Sequence, residues 1–376
     1  MKRNLLLCLA LLIAVTLQAQ LNGPPNGDNQ KSSITQFIGP VSVTITYSSP
    51  DVHAPDGADR NGKIWGGPAH YGFADLGFGT SKAAPWRAGA NENTTIAFSH
   101  DVKVGDKDVK AGTYGLFLDV EKEGPWNWIL SKNANAWGSF FYDAKDDAAR
   151  ISVTPLDAPY TEWLTYGFDD RRPSSTIAYL QWENKRVPMK IEVPNINDLY
   201  IAGFTAQLEG TPVGFSYQGW SQAAQFCATN KTHLDLGLAW ADASISAPFI
   251  GQENFGTLST KANVLRAMGR NEEMETIMNK AINLPTATVQ EIHMYARGLV
   301  AAGQKEKAME VFKLNAKKHP EDKFTTNVGL ARGYTVMGDK KNAIKFWEVA
   351  LQNIPENQKP NLAFYQDEVK KLKEGK

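Results

Sequence analysis

Val41-Ser42-Val43-Thr44-Ile45-Thr46-Tyr47 alternates apolar and hydroxyl side chains with a period of two, the pattern of a half-buried strand. Short β-prone runs recur after it: Thr94 to Phe98, Tyr114 to Val120, Trp126 to Ser131, Ile151 to Leu156, Glu162 to Phe168, Thr176 to Trp182 and Val187 to Val193. Turn formers separate most of them, at Gly105-Asp106, Gly124-Pro125, Asp169-Asp170 and Glu183-Asn184. Closely spaced strands with no helical pattern predict an all-β, sandwich- or barrel-like domain over residues 30–195. The Gly-, Pro- and Asp-rich stretch from Asp51 to Lys82 reads as long surface loops, where binding residues tend to sit.

Past Pro194 the pattern changes. A linker is expected over 196–220, and helical periodicity then holds to the end, over 221–376. Gly269, Gly303 and Gly338 recur at spacings of 34 and 35, and Pro285, Pro320 and Pro355 at 35, with one amphipathic helix between each Gly and Pro. The last copy is the most regular, with Leu330, Ala331 and Tyr334, then Gly338-Asp339, then Ala343, Trp347, Ala350 and Pro355. This resembles the tetratricopeptide repeat, whose helix pairs need small residues where they cross. The first copy departs from it, with Met274 and Met278 where Ala and an aromatic are usual. The fold expected is thus multidomain, all-β followed by all-α. The resemblance implies a concave face suited to a protein or peptide partner.

Lys2 and Arg3 precede an apolar run from Leu5 to Val15, and Leu17-Gln18-Ala19 offers a cleavage site before Gln20. These are the parts of a secretory signal peptide over 1–19, so the mature chain is expected to be periplasmic or secreted. Cys8 follows Leu7, which is too large for a lipidation box, and no apolar segment is long enough to span a bilayer. Cleavage would leave Cys227 as the lone cysteine, read as a small buried helix residue. A formal net charge of zero gives no basic footprint for nucleic acid.

A further likeness rests on three runs in order: Trp86-Arg87-Ala88-Gly89-Ala90-Asn91-Glu92-Asn93-Thr94-Thr95, Ala111-Gly112-Thr113-Tyr114-Gly115-Leu116-Phe117 and Trp126-Asn127-Trp128-Ile129-Leu130-Ser131. Trp137-Gly138 and Val187-Pro188-Met189-Lys190-Ile191 follow them. Residues 34 to 193 or so resemble the bacterial family called domain of unknown function 2911, common in exported proteins of Bacteroidota. The resemblance implies an exported β domain and no particular activity. The chain departs from the family pattern at Ser49 and Lys63, where arginines are usual.

Arg87, Asn91 and Glu92 supply a cation, an amide and a carboxylate within six residues, and Trp65 or Trp86 a stacking face, for a small polar ligand. The blander reading has Arg87 and Glu92 pairing with each other or capping a sharp turn while the Trp residues fill the core. No catalytic, metal or cofactor signature appears: the His and Asp residues of the loops lack ligand spacing, and there is no nucleophile elbow, P-loop or dinucleotide fingerprint. The function expected is an exported, non-enzymatic binding or adaptor protein. The alternative is a carbohydrate-active or other hydrolase centred on Glu92, which would need a second carboxylate.

Overall fold

A computed structural model describes residues 29–54 and 56–374. The expected signal peptide and its cleavage site lie outside the described residues. The chain divides into two compact units, with the boundary between Tyr200 and Ile201.

The first unit holds ten strands, β1 (Lys31–Ile38), β2 (Val41–Ser48), β3 (Thr95–Phe98), β4 (Val102–Val104), β5 (Lys107–Val109), β6 (Gly112–Asp119), β7 (Trp126–Ser131), β8 (Asp147–Val153), β9 (Leu156–Arg172) and β10 (Ser175–Glu192). They form two antiparallel sheets, β1-β2-β3-β6-β7-β8 and β5-β4-β10-β9. Val41, Val43 and Ile45 of β2, Leu116 and Leu118 of β6 and Trp128 of β7 meet Leu180, Trp182, Met189 and Ile191 of β10 in one core. The Trp128 indole N–H donates to the Pro188 carbonyl at 3.1 Å, so this side chain ties β7 to β10 as well as filling space.

Two expectations change. Glu183-Asn184 does not separate two strands: β10 runs through it with register shifts on either side of Glu183, whose φ is +51°. Buried positions are even-numbered before it (Ala178, Leu180, Trp182) and odd-numbered after it (Val187, Met189, Ile191). The bulge therefore resets the alternation so that both halves face the core. Asp169-Asp170 likewise lies within β9, and the chain turns at Pro173-Ser174. The edge strand β1, Lys-Ser-Ser-Ile-Thr-Gln-Phe-Ile, escaped the pattern because one of its faces is exposed throughout.

Between β2 and β3 the chain makes a long excursion pinned by isolated bridges, Asp51 to Trp163, Tyr71 to Val120, Ala74 to Ala84 and Trp86 to Leu118. It also buries Val52, Ile64, Ala69 and Ala88, so the expected surface loop contributes to the core.

Ten helices follow among the described residues. The stretch read as a linker contains α1 (Ile196–Gly210), a 3-10 turn (Pro212–Phe215) and the start of α2 (Tyr217–Asn230). Its Gly and Tyr content hid the helix, since α1 is only weakly amphipathic, with Ile201 and Leu208 buried. Then come α3 (Leu234–Ser246), α4 (Phe255–Ala267), α5 (Asn271–Asn283), α6 (Val289–Ala301), α7 (Lys305–Lys318), α8 (Thr325–Val336), α9 (Lys340–Gln352) and α10 (Leu362–Glu374).

The repeated glycines explain the pairing. Gly269, Gly303 and Gly338 end α4, α6 and α8 at φ of +78°, +77° and +81°. In each, the next residue's N–H reaches back to the helix: Arg270 to Leu265 O, Gln304 to Leu299 O and Asp339 to Tyr334 O. That left-handed cap satisfies the last carbonyls and reverses the chain. Each helix of the three pairs buries an alanine: Ala262, Ala281, Ala296, Ala308, Ala331 and Ala343 are inaccessible. Phe312 and Trp347, 35 apart, fill the space between helices, and Met278 does so in the first pair.

Candidate functional site

The Trp86–Thr94 segment is a sharp, well-tied turn. Ala88 and Asn91 have φ of +49° and +59°. The Ala88 carbonyl accepts from Tyr166 Oη at 2.8 Å and from Thr94 Oγ1 at 3.1 Å, and Ala90 N donates to Ser48 O at 3.1 Å. Within this turn Arg87 Nη1 donates to the Asn91 carbonyl at 2.7 Å, and its guanidinium carbon sits 5.1 Å from the Phe140 ring centre.

Glu92 points elsewhere. Its carboxylate binds Lys31 Nζ at 2.5 Å and accepts from Ser48 Oγ at 3.3 Å. Its burial opposes ionisation, but Lys31 and Ser48 outweigh that and leave its pKa below the usual carboxylate value. Arg87 and Glu92 therefore do not pair, and Arg87 caps the turn.

A cleft of about 830 Å³ opens beside the turn. Trp86, Arg87 and Asn91 line it, while Trp65 and Glu92 are not among its lining residues. Trp65 packs behind, 5.8 Å from Trp86, 4.9 Å from Trp126 and 6.2 Å from Trp182 between ring centres. Trp86 and Trp182 stack at 5.9 Å with 15° between planes. This four-indole block makes the cleft floor rigid.

The structure adds residues whose role no sequence spacing revealed. Asp51, Arg60, His70, Ser139, Trp163 and Trp182 also line the cleft. Trp163 on β9 is 47% exposed, so its ring is available at the surface. Arg60 is committed to structure: Nε donates to Val52 O at 3.0 Å and Nη2 to Asp51 O at 2.9 Å, and Nη2 lies 3.8 Å from the Asp51 carboxylate. Both ring nitrogens of His70 are buried without a hydrogen-bond partner. Asp51 is the only carboxylate among the described lining residues. These groups come from loops and from the middle of β9 and β10, up to more than a hundred residues apart, and no local pattern brings them together.

At one edge Glu162 holds the loop, accepting from Val52 N and His53 N at 3.2 Å each and meeting His53 Nδ1 at 2.7 Å. The Tyr160 hydroxyl also donates to it. Tyr160 first, with His53, draws the Glu162 carboxyl down to about 2, and Glu162 in turn raises His53.

Among the described residues no group of three His, Cys, Asp or Glu side chains could hold a metal ion, and no helix is long and apolar enough to cross a membrane. Cys227 is a free, buried thiol on α2, pushed up to about 11 by burial, which leaves it unreactive. In the helical unit a pocket of about 300 Å³ is lined by Arg297, Arg332, Trp347 and Glu368 among others. Arg332 Nε and Trp347 Nε1 are buried there without partners.

No curated protein matches the chain. Residues 29–191, the β unit almost from end to end, match the model of the family described as "Protein of unknown function (DUF2911)".

Proposed function

We propose that this is an exported, non-enzymatic binding protein: the β unit holds a small polar ligand in its cleft, and the helical unit, a tetratricopeptide-like array, holds a protein or peptide partner. The observation that carries the reading is the cleft itself, an 830 Å³ space with a rigid indole floor and convergent polar groups. The Gly and Pro periods and the buried alanine of each paired helix support the repeat assignment. The layout of residues 1–19 supports export to the periplasm or beyond.

Hydrolysis at Glu92 is the weaker reading. That carboxylate is engaged by Lys31 and Ser48 away from the cleft, and a pair of carboxylates flanking a bond is what such chemistry needs.

The test is a melting-temperature screen of the mature chain, 20–376, against small polar compounds and short glycans, repeated with Trp163→Ala. A stabilising compound whose effect falls in the variant supports the cleft reading. A screen with no stabiliser, or with stabilisers indifferent to Trp163, sinks it. For the helical unit, capture from envelope extract is compared between the mature chain and a form carrying Arg297→Gln and Arg332→Gln. Equal recovery by both removes the pocket of α6 and α8 as the partner's seat.

A further inference from the structure

Arg87 is the cleft's unbalanced charge. Its guanidinium is largely buried, burial pulls its pKa below the ordinary arginine value, and among the described residues it forms no ion pair. Among the described residues only Nη1 donates to a protein acceptor, leaving most of its five N–H groups for something else. The backbone is shaped around it: a Cβ on Gly138, whose φ is +60°, would come within 2.7 Å of Nη1. The other cation, Arg60, spends its donors on carbonyls and lies beside Asp51, so those two charges offset one another. A buried cation without a counter-charge is costly, and an anion delivered by a ligand would relieve that cost.

The rest of the lining narrows the ligand. The exposed Trp163 ring offers a flat apolar face, and the buried Trp86–Trp182 stack lies in the lining beside it. Asn29 and Gln30 bring polar side chains to the lining. Aromatic faces combined with hydrogen-bonding groups suit a pyranose ring, which is apolar on its faces and hydroxylated at its rim. Resting on the cleft reading above, we infer that the cleft takes an acidic saccharide, a ring seated against indole with its carboxylate accepted by the Arg87 fork.

The experiment is isothermal titration of the full mature chain with trimers of galacturonate, glucuronate and mannuronate, their methyl esters, the uncharged maltotriose, and citrate as a small acid without a sugar ring. At least one acidic trimer should bind, its ester at least tenfold more weakly, and affinity should fall with added salt. Arg87→Gln should weaken the acid at least tenfold while changing ester binding less than threefold. Arg87→Lys, which keeps the charge and loses the fork, should fall between. Acid and ester binding alike, or an acid indifferent to both variants, overturns the inference. So does citrate binding where no trimer does. Should Arg87→Gln fail to fold, the acid-to-ester comparison on the unaltered chain still decides. Neutral sugar binding that depends on Trp163 but not on Arg87 would overturn the anion while keeping the cleft. No binding by any probe here, together with an empty melting screen, would overturn both.

Discussion

At the scale of single residues, three titrating groups at two places make the structure testable by pH. His293 on α6 is buried beside Phe312, with ring centres 5.6 Å apart, and against the backbone of Gly329, where a Cβ would meet its Nδ1 at 3.2 Å. Burial first, then the charges of Arg332 and Arg297, holds it down to about 4. The unfolded chain, with its imidazole near 6.5, therefore takes up the proton first as pH falls. The helical unit should keep its stability above about pH 6.5 and lose up to about 3 kcal/mol on the way down to pH 4. Urea unfolding at pH 7 and pH 4.5 measures this, and His293→Phe should remove that part of the difference. The His53–Glu162 contact has a different window. His53 is raised, so its contribution is complete below its unfolded value of 6.5 and is lost as pH rises through the folded one. Glu162 is lowered to about 2, so its contribution is complete above 4.5 and is lost as pH falls towards 2. Val52 N also donates to the Glu162 carbonyl at 2.9 Å, so the His53 amide is the reporter. Its protection against hydrogen exchange should peak between about pH 4.5 and 6.5 and flatten in Glu162→Gln. A peak that survives the substitution would show that this amide owes its protection to something else.

At the scale of elements, the helix pairs are set by backbone chemistry more than by side-chain contact. Nothing lies within 4 Å of a Cβ built on Gly303 or Gly338, so a substitution there meets no clash. Its cost is the left-handed backbone alone. Gly303→Ala should destabilise by about 1–2 kcal/mol and Gly303→Asn by less, since Asn tolerates that region. Chemical denaturation of both variants checks the order; equal losses would mean that the cap is not what the glycine supplies. The alanines act by volume. Ala308 is inaccessible on α7, and Ala308→Leu should cost about 1–3 kcal/mol through overpacking. In the β unit, the bulge at Glu183 does the work of a register device. Its carboxylate accepts from Gly62 N, tying the excursion between β2 and β3 to the point where the alternation of β10 is reset.

At the scale of the whole molecule, each unit has its own core. The β core draws on residues up to Leu199, and the helical clusters begin at Ile201. Trp128→Ala removes an inaccessible indole and its bond to Pro188, and should cost the β unit about 3–5 kcal/mol. Calorimetry should show the β transition lowered, and circular dichroism at 222 nm should show the helical unit melting as before; a common shift would mean that the units unfold together. Much of this architecture was legible in order along the chain. Val41 to Tyr47 announces a half-buried strand because side chains alternate across a pleat, and Gly269, Gly303 and Gly338 announce helix ends because glycine alone adopts that backbone freely. The left-handed residues of the turn carrying Arg87 are Ala88 and Asn91, not Gly89, so glycine preference does not account for it. What the local pattern could not carry was anything dependent on register or long-range approach. Glu183-Asn184 looks like a turn until β9 is seen pairing on both sides of it, and the polar edge strand β1 declares itself only through its pairing with β2. Six residues of sequence put Arg87 and Glu92 together, yet they face apart, because Lys31 and Ser48 claim the carboxylate across the sheet. Conversely Trp163 and His70, far apart in the chain, meet Arg87 in one cleft. Periodicity and backbone preference within a few residues were enough to announce a β unit followed by a helical one, three of the helix ends and most strands. Which side chains share the cleft follows from long-range pairing instead, because it depends on which distant strands pair and on which face each residue is turned.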